Sequence, residues 1–303
     1  MAGRVRTRVF PGPQNLALFV AEAKGFFARR GVDAEIGITA GSEEQRTALA
    51  AGEIEVVHAA VDNAVHIVEA AGEDVVIVSG GSNGMNDLVV RPEVRSYADL
   101  RGKTVVVDAP DTAYAFQLYA MLAMNGLGKG DYGILPAGGA TQRLQAMRES
   151  SNHAAAMLNP PWNFVAEQEG YRSFGPAIEA IGGYQADGAF ARRSWAEQNA
   201  DTLARYLRAM IDGLRWAFDP VNRTQAIAIL ADRLRIDADI AARSVEAAVG
   251  PAKGLAVDAR FDVAGFENML RIRDRIAGTR GGRIPAPGKY LDLSYYERAL
   301  ATL

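Results

Sequence analysis

Cysteine is absent from the 303 residues. That excludes disulfides, thiolate zinc sites, iron–sulfur clusters and cysteine nucleophiles together. Histidine is nearly absent too, with three copies. His58 and His66 form neither an H-x-x-x-H nor an H-E-x-x-H pair, so no metal site is expected. His58 is expected to pack in a strand and His66 on a helix. Apolar runs fall well short of the ~18–20 residues that span a bilayer, so no membrane insertion is expected. Charge of one sign is not concentrated anywhere. Lys and Arg number 33 against 36 Asp and Glu, a formal net charge of -3. Nucleic acid and anionic membranes are therefore poor partners. The opening "MAGRVRTRVF" has no apolar signal core. A cytoplasmic chain and one whose signal has been removed both remain open.

What is present is a globular balance, 49% hydrophobic and 23% charged, with room for a core in two lobes. Alternation over Arg4–Phe10 predicts a strand. A helix follows, with Leu16, Phe19, Val20, Ala23 and Phe27 at helical spacing between Pro13 and Gly31. "VDAEIGI", "SEEQRTALAAGE" and "IEVVHAA" read as strand, short helix and strand. The order then recurs. "KTVVVDA", "TAYAFQLYAMLAMNGLG", "YGILPAG", "ATQRLQAMRES" and "HAAAMLN" again read β-α-β-α-β. Both second helices carry a Gln-Arg pair, Gln45-Arg46 and Gln142-Arg143. Two such units predict an α/β chain of two lobes, each a small, mainly parallel sheet flanked by helices.

Val75–Ser79 and Asp87–Arg91 are further expected strands, the second passing between lobes. After residue 190 the pattern is helical. Ser194 and Glu197 have capping-box spacing at the start of one long helix, and Pro220 ends it. Four amphipathic helices follow, with Asp237 and Asp262 as candidate N-caps and "LDLSYYERALATL" as the last. All five are expected to pack on lobe one. The boundaries are then 1–90 and 188–303 for lobe one and 91–187 for lobe two. Hinge segments lie near 89–91 and 185–188.

Ligands of open α/β sheets sit beyond the carboxyl ends of the strands. Those ends carry Gln14 and Asn15, Thr39 and Ser42, and Asp62 and Asn63 in lobe one. In lobe two they carry Thr112, Ala113 and Tyr114, then Asn159 and Trp162. Asn86 and Tyr184 complete the candidate set. The lobes are expected to face each other across a ligand cleft. Thr112 opens a helix whose free N–H groups suit an anion. Asp108 and Asp111 oppose that unless Asp111 caps the helix instead. Tyr114, Trp162 and Tyr184 either stack on a planar ligand or pack the core. Gln14, Asn15, Asp62 and Asn63 are ligand contacts or ordinary turn and cap residues.

Three motifs suggest other chemistry and fail on context. "GGSNG" (80–84) fits the serine-hydrolase elbow, but a strand follows where that motif needs a helix. "GLGKGDYG" ends a helix, so it is a connection and no phosphate cradle. "RIRDRIAGTRGGR" reads as a solvated basic helix end.

Over roughly residues 5–250 the chain resembles the nitrate/sulfonate/taurine-type substrate-binding proteins of ABC transporters. The resemblance rests on "AEAKGFFARRG", "LAAGEIEVVHAAVDN" and "LRGKTVVV" taken together. It implies the type II periplasmic-binding-protein fold and an extracytoplasmic binding protein that is no enzyme. It also implies a monomer without a cofactor, which carries a small anionic or planar polar organic ligand to a transporter permease. By the same resemblance, the strand-end loops line the ligand cleft. Enzymes on this fold are the alternative. The pyrimidine-precursor synthases and sulfinate desulfinases depend on cysteine, which leaves a decarboxylase-like activity. A cytoplasmic ligand sensor is the third reading.

Overall fold

Alternating burial in β1 (Gly3–Val9), with Val5, Thr7 and Val9 facing inward, marks a strand with one wet face. The computed structural model describes residues 2–250, 254–278 and 285–301. Its contacts divide into two units. The first comprises 1–83, 185–263 and 285–303; the second comprises 84–184 and 264–284.

In the first unit, β1 leads to α1 (Leu16–Ala23) and α2 (Phe26–Arg29). One continuous helix was expected there. Gly25 adopts a positive φ of 68° and breaks it, because a left-handed residue cannot continue a right-handed helix. The order continues through β2 (Val32–Ile38), α3 (Ser42–Ala50), β3 (Val56–Ala60), α4 (Val61–His66) and β4 (Val75–Gly80). β1 pairs in parallel with β2 over its whole length and with β3 at Val9.

The second unit holds β5 (Asp87–Val90), β6 (Thr104–Val107), α5 (Ala113–Met124), β7 (Gly133–Pro136) and α6 (Ala140–Glu149). It continues with β8 (His153–Leu158), α7 (Trp162–Gln168), β9 (Arg172–Pro176) and α8 (Ala177–Ile181). The chain re-enters the first unit as β10 (Asp187–Arg192). It ends in α9 (Arg193–Gln198), α10 (Ala200–Phe218), α11 (Arg223–Leu234), α12 (Ala238–Val249), α13 (Val263–Ala277) and α14 (Ser294–Ala301).

The two sheets are built alike. Their strand orders are β2-β1-β3-β10-β4 and β7-β6-β8-β5-β9. In each, the three strands of the repeated unit are parallel, and the fourth strand runs antiparallel to both of its neighbours. That strand is β10 in the first sheet and β5 in the second, so both sheets are mixed. β9 and β10 had no separate expectation, because short strands beside a turn carry little periodicity.

The boundaries differ from those expected. β5 lies between β8 and β9 of the second sheet, so the chain leaves the first unit after Asn83, before Val89–Arg91. It returns at Gln185. The C-terminal helices do not all pack on the first unit. α13 belongs to the second, where Asn268 Nδ2 donates to the carbonyls of Ile181 and Gly183, and Arg273 lies over the Phe116 ring. Ser194 makes no capping box. It lies inside α9, and Asn199 separates α9 from α10. Asp237 does stand at the N-cap position of α12, without a side-chain bond to the helix. Residues 279–283 of the basic helix end, and residues 302–303 of the last expected helix, lie outside the described residues.

The first core forms where α10 lies against α1. Both faces of α1 from Leu16 to Ala21 are buried, and Gly213 permits the close approach. Behind them, His58 Nε2 and the Tyr206 hydroxyl lie 2.9 Å apart, with Phe27 stacked on Tyr206. Burial holds the His58 imidazole neutral, its pKa lowered to about 3, and raises that of Tyr206.

Candidate functional site

Each sheet gathers its polar residues at the carboxyl ends of its parallel strands. In the first unit, Asn15 Nδ2 donates to the Phe10 carbonyl at 2.9 Å and closes the loop after β1. Gln14 Oε1 is buried without a hydrogen-bond partner among the described residues. Thr39 ties the loop before α3, donating to the Gly41 carbonyl and to Glu44 Oε2, each at 3.0 Å. Ser42 is the first residue of α3 and half-buried. Asp62 and Asn63 form the first turn of α4, directly after β3, and both are buried. Asn63 is 6% exposed, and its amide has no hydrogen-bond partner among the described residues.

In the second unit, Thr112 is the N-cap of α5. Its Oγ1 accepts from the Ala115 N–H at 3.3 Å and lies 2.6 Å from Asp108 Oδ1, to which it donates. Thr112, and not Asp111, therefore caps the helix. Asp108 already faces that helix end, which weighs against an anion being held there. Ala113 is buried behind it. Asn159 Nδ2 donates to the Pro160 carbonyl, and Trp162 follows at the start of α7, half-buried. Asn86 directly precedes β5, whose first residue Asp87 pairs with Leu158, the last residue of β8, so it stands at that same end of the sheet. It donates to Gln117 Oε1 at 3.1 Å, and its carbonyl accepts from Ala177. That is a core bond between α5 and the loop before β5. Tyr184 is also buried.

The structure adds a residue whose role the sequence reading missed. Arg143 is only 2% exposed yet charged. From α6 its Nε donates to the Met157 carbonyl of β8 at 3.0 Å, and its Nη1 donates to the Gly138 carbonyl after β7 at 2.8 Å. Tyr114 of α5 presents its ring at 5.4 Å. One guanidinium thus ties β8 to the loop after β7 and lies against the first turn of α5. Burial lowers its pKa, and the Asp108 and Tyr114 fields oppose that. Its Nη2 has no hydrogen-bond acceptor among the described residues. A buried cation without a bonded carboxylate is costly. The Gln142-Arg143 pair was the available signal, but it was noticed as a repeat.

The serine-elbow motif is resolved as well. Ser82 is fully buried, donates to Asp187 Oδ2 at 2.6 Å, and is followed by β5. Among the described residues no cluster of three metal-ligating side chains occurs, and no helix is long and apolar enough to cross a membrane.

Comparison with known proteins converges on one architecture. The ligand-binding component of an ABC-type import system from Staphylococcus aureus, solved with zinc bound, superposes with a TM-score of 0.82 at 12% identity, covering 98% of this chain and 99% of that one. The periplasmic nitrate-binding protein NrtA from Synechocystis PCC 6803 gives 0.80 at 15%, covering 100% and 89%. The periplasmic aliphatic sulphonate binding protein SsuA from Escherichia coli gives 0.76 at 16%, covering 98% and 100%. These likenesses establish the type II periplasmic-binding-protein fold. No curated protein sequence matches the chain. A family model does, over residues 12–222, from the loop after β1 to the turn after α10. The repeated strand-helix units and the tips they carry are thus those of a known lineage: the chain belongs to the NMT1/THI5-like family.

Proposed function

We propose that this protein is a solute-binding protein: it captures a small anionic organic molecule at its strand tips and delivers it, chemically unchanged, to an ABC-type importer outside the cytoplasmic membrane. The observation that carries this reading is Arg143, a buried guanidinium at the second sheet's tips with no ion-pair partner among the described residues. Family membership and the fold shared with nitrate- and sulphonate-binding proteins support the class of function. Binding without a covalent step is supported by the engagement of the groups an enzyme would use. Ser82 is buried against Asp187, and His58 against Tyr206.

The test is a thermal-shift screen of carboxylates, sulfonates, pyrimidines and aromatic acids, followed by mass spectrometry of the recovered ligand. A micromolar dissociation constant corresponds to about 8 kcal/mol. At a hundredfold excess over that constant the ligand stabilises the protein by about 2.7 kcal/mol, enough to raise the melting temperature by several degrees. Recovery of unchanged ligand supports capture. Turnover of any hit replaces it with an enzymatic reading.

A further inference from the structure

Asp187 opens β10 beside the carboxyl end of β3. It pairs with Ala60, the last residue of β3. The carbonyl of its neighbour Ala186 accepts from the N–H of Val61, the first residue of α4, at 2.8 Å. Asp187 therefore belongs to the same strand tip as Asp62 and Asn63, although no sequence motif marks it.

Its backbone is fixed from both sides. The Ser82 carbonyl accepts from the N–H groups of Ala186 and Asp187, and the Ser82 N–H donates to the Asp187 carbonyl at 3.3 Å. Gln185 Nε2 donates to the same carbonyl at 2.6 Å, while Gln185 Oε1 accepts from the Asp262 N–H at 2.7 Å. The carboxylate is treated differently. Ser82 Oγ donates to Oδ2 at 2.6 Å, and Oδ1 has no hydrogen-bond partner among the described residues. The side chain keeps some access to solvent. The surrounding protein desolvates it and pushes its pKa up to about 6, with only the Ser82 hydroxyl pulling the other way. A half-satisfied carboxylate without a cation costs stability. Asn63, three residues past Ala60, adds a second polar group: the residue is 6% exposed, and its amide has no hydrogen-bond partner among the described residues and keeps contact with solvent.

We infer that Asp187 Oδ1 and the Asn63 amide receive a basic or N–H-bearing nitrogen of the ligand, such as an ammonium or amidinium group. This rests on the solute-capture reading and narrows it. The captured solute carries such a nitrogen.

The experiment compares wild type, Asp187→Asn and Asp187→Glu by thermal shift and titration calorimetry near neutral pH. Three probe sets are used: acids and sulfonates without nitrogen, amines and amidines without an acid, and amino acids, aminosulfonates and aminobenzoates. The third set is expected to contain the strongest binders. Asp187→Asn should weaken the best of them by about tenfold or more, and Asp187→Glu should restore part of the loss. Ligand-free Asp187→Asn should melt at the same temperature as wild type or higher, because an unpaired carboxylate has been removed. Two results overturn the inference and leave solute capture standing. One is equal binding of nitrogen-free acids and their amino analogues, unchanged in Asp187→Asn. The other is an Asp187→Asn protein that melts several degrees lower and binds normally, which would make Asp187 a structural staple. Absence of any binder, with no ligand recovered from the purified protein, removes both readings.

Discussion

Gln45 and Arg143 occupy equivalent positions. Each is the fourth residue of the helix after the second strand of its repeat, behind an extended glycine at the N-cap, Gly41 or Gly139. Each reaches back to a strand carbonyl: Gln45 Nε2 to Arg8 and Arg143 Nε to Met157. The first repeat uses a neutral amide for the task, and the second a cation. The scaffold role alone does not require the charge. Arg143→Met keeps the bulk and removes the charge and both hydrogen bonds. Two buried carbonyls lose their donors at roughly 1–3 kcal/mol each, offset in part by removal of a buried charge. Urea denaturation should show a net loss of about 2–4 kcal/mol, and calorimetry on the folded fraction should show loss of anion binding. Arg143→Lys should keep weak binding, because it keeps the charge without the fork of donors.

Gly213 is fixed by contact with α1. A Cβ placed there would sit 2.3 Å from the Ala17 carbonyl oxygen and 3.0 Å from the Ala21 nitrogen. In an exposed helix, Gly→Ala gains about 1 kcal/mol. Here the clash is with backbone, which cannot rotate away, and overpacking of this kind costs about 1–3 kcal/mol. Gly213→Ala is therefore expected to lower the urea midpoint. A raised midpoint would show that α10 and α1 can separate at no cost.

His58 sets an acid limit. Its folded pKa of about 3 lies below the ordinary value of 6.5. The unfolded chain takes up the proton first, so this contribution is complete above pH 6.5 and declines as pH falls toward 3. At about 1.4 kcal/mol per unit the total reaches roughly 5 kcal/mol, an upper bound. Asp187 acts oppositely. Its folded pKa of about 6 exceeds the ordinary 3.8, so its unfavourable contribution is relieved as pH falls from 6 toward 4. In chemical denaturation from pH 7 to 4, His58→Gln should flatten the acid decline, and Asp187→Asn should steepen it.

Thr112→Ala removes the cap of α5 and the hydroxyl donor to Asp108. Loss of an N-cap costs about 1 kcal/mol. The same change leaves the Arg143 contacts in place, so stability should fall while anion affinity changes by less than about threefold. A larger fall in affinity would return the anion to the helix end, as the sequence reading had it.

These cases show where the sequence was legible. The two β-α-β-α-β units were readable because each strand and helix carries its own periodicity, as in the inward-facing Val5, Thr7 and Val9 of β1. The strand ends followed from the element order. The antiparallel fourth strands were not readable as pairings, because β10 finds its partners in β3 and β4, more than a hundred residues upstream. Asp187 was invisible for the same reason: its meaning comes from Ser82, and that contact is non-local. Arg143 was visible as a letter but had no distinguishing context, since an arginine in a short amphipathic helix ordinarily faces water. Asn15, Thr39 and Thr112 follow β1, β2 and β6 as the element order implied, and their side chains spend hydrogen bonds on shaping those loops.

The seating of α13 bears on how the polypeptide can be shortened. Removing everything after residue 250 would strip Asn268 and Arg273 from the second unit, uncovering Phe116 and the turn at Ile181. The same cut would take Tyr290 and Asp292, whose backbones hold both sides of Ile77 at the outer strand of the first. The tail thus contributes packing to each unit separately, and a protease that removes it should loosen each of them.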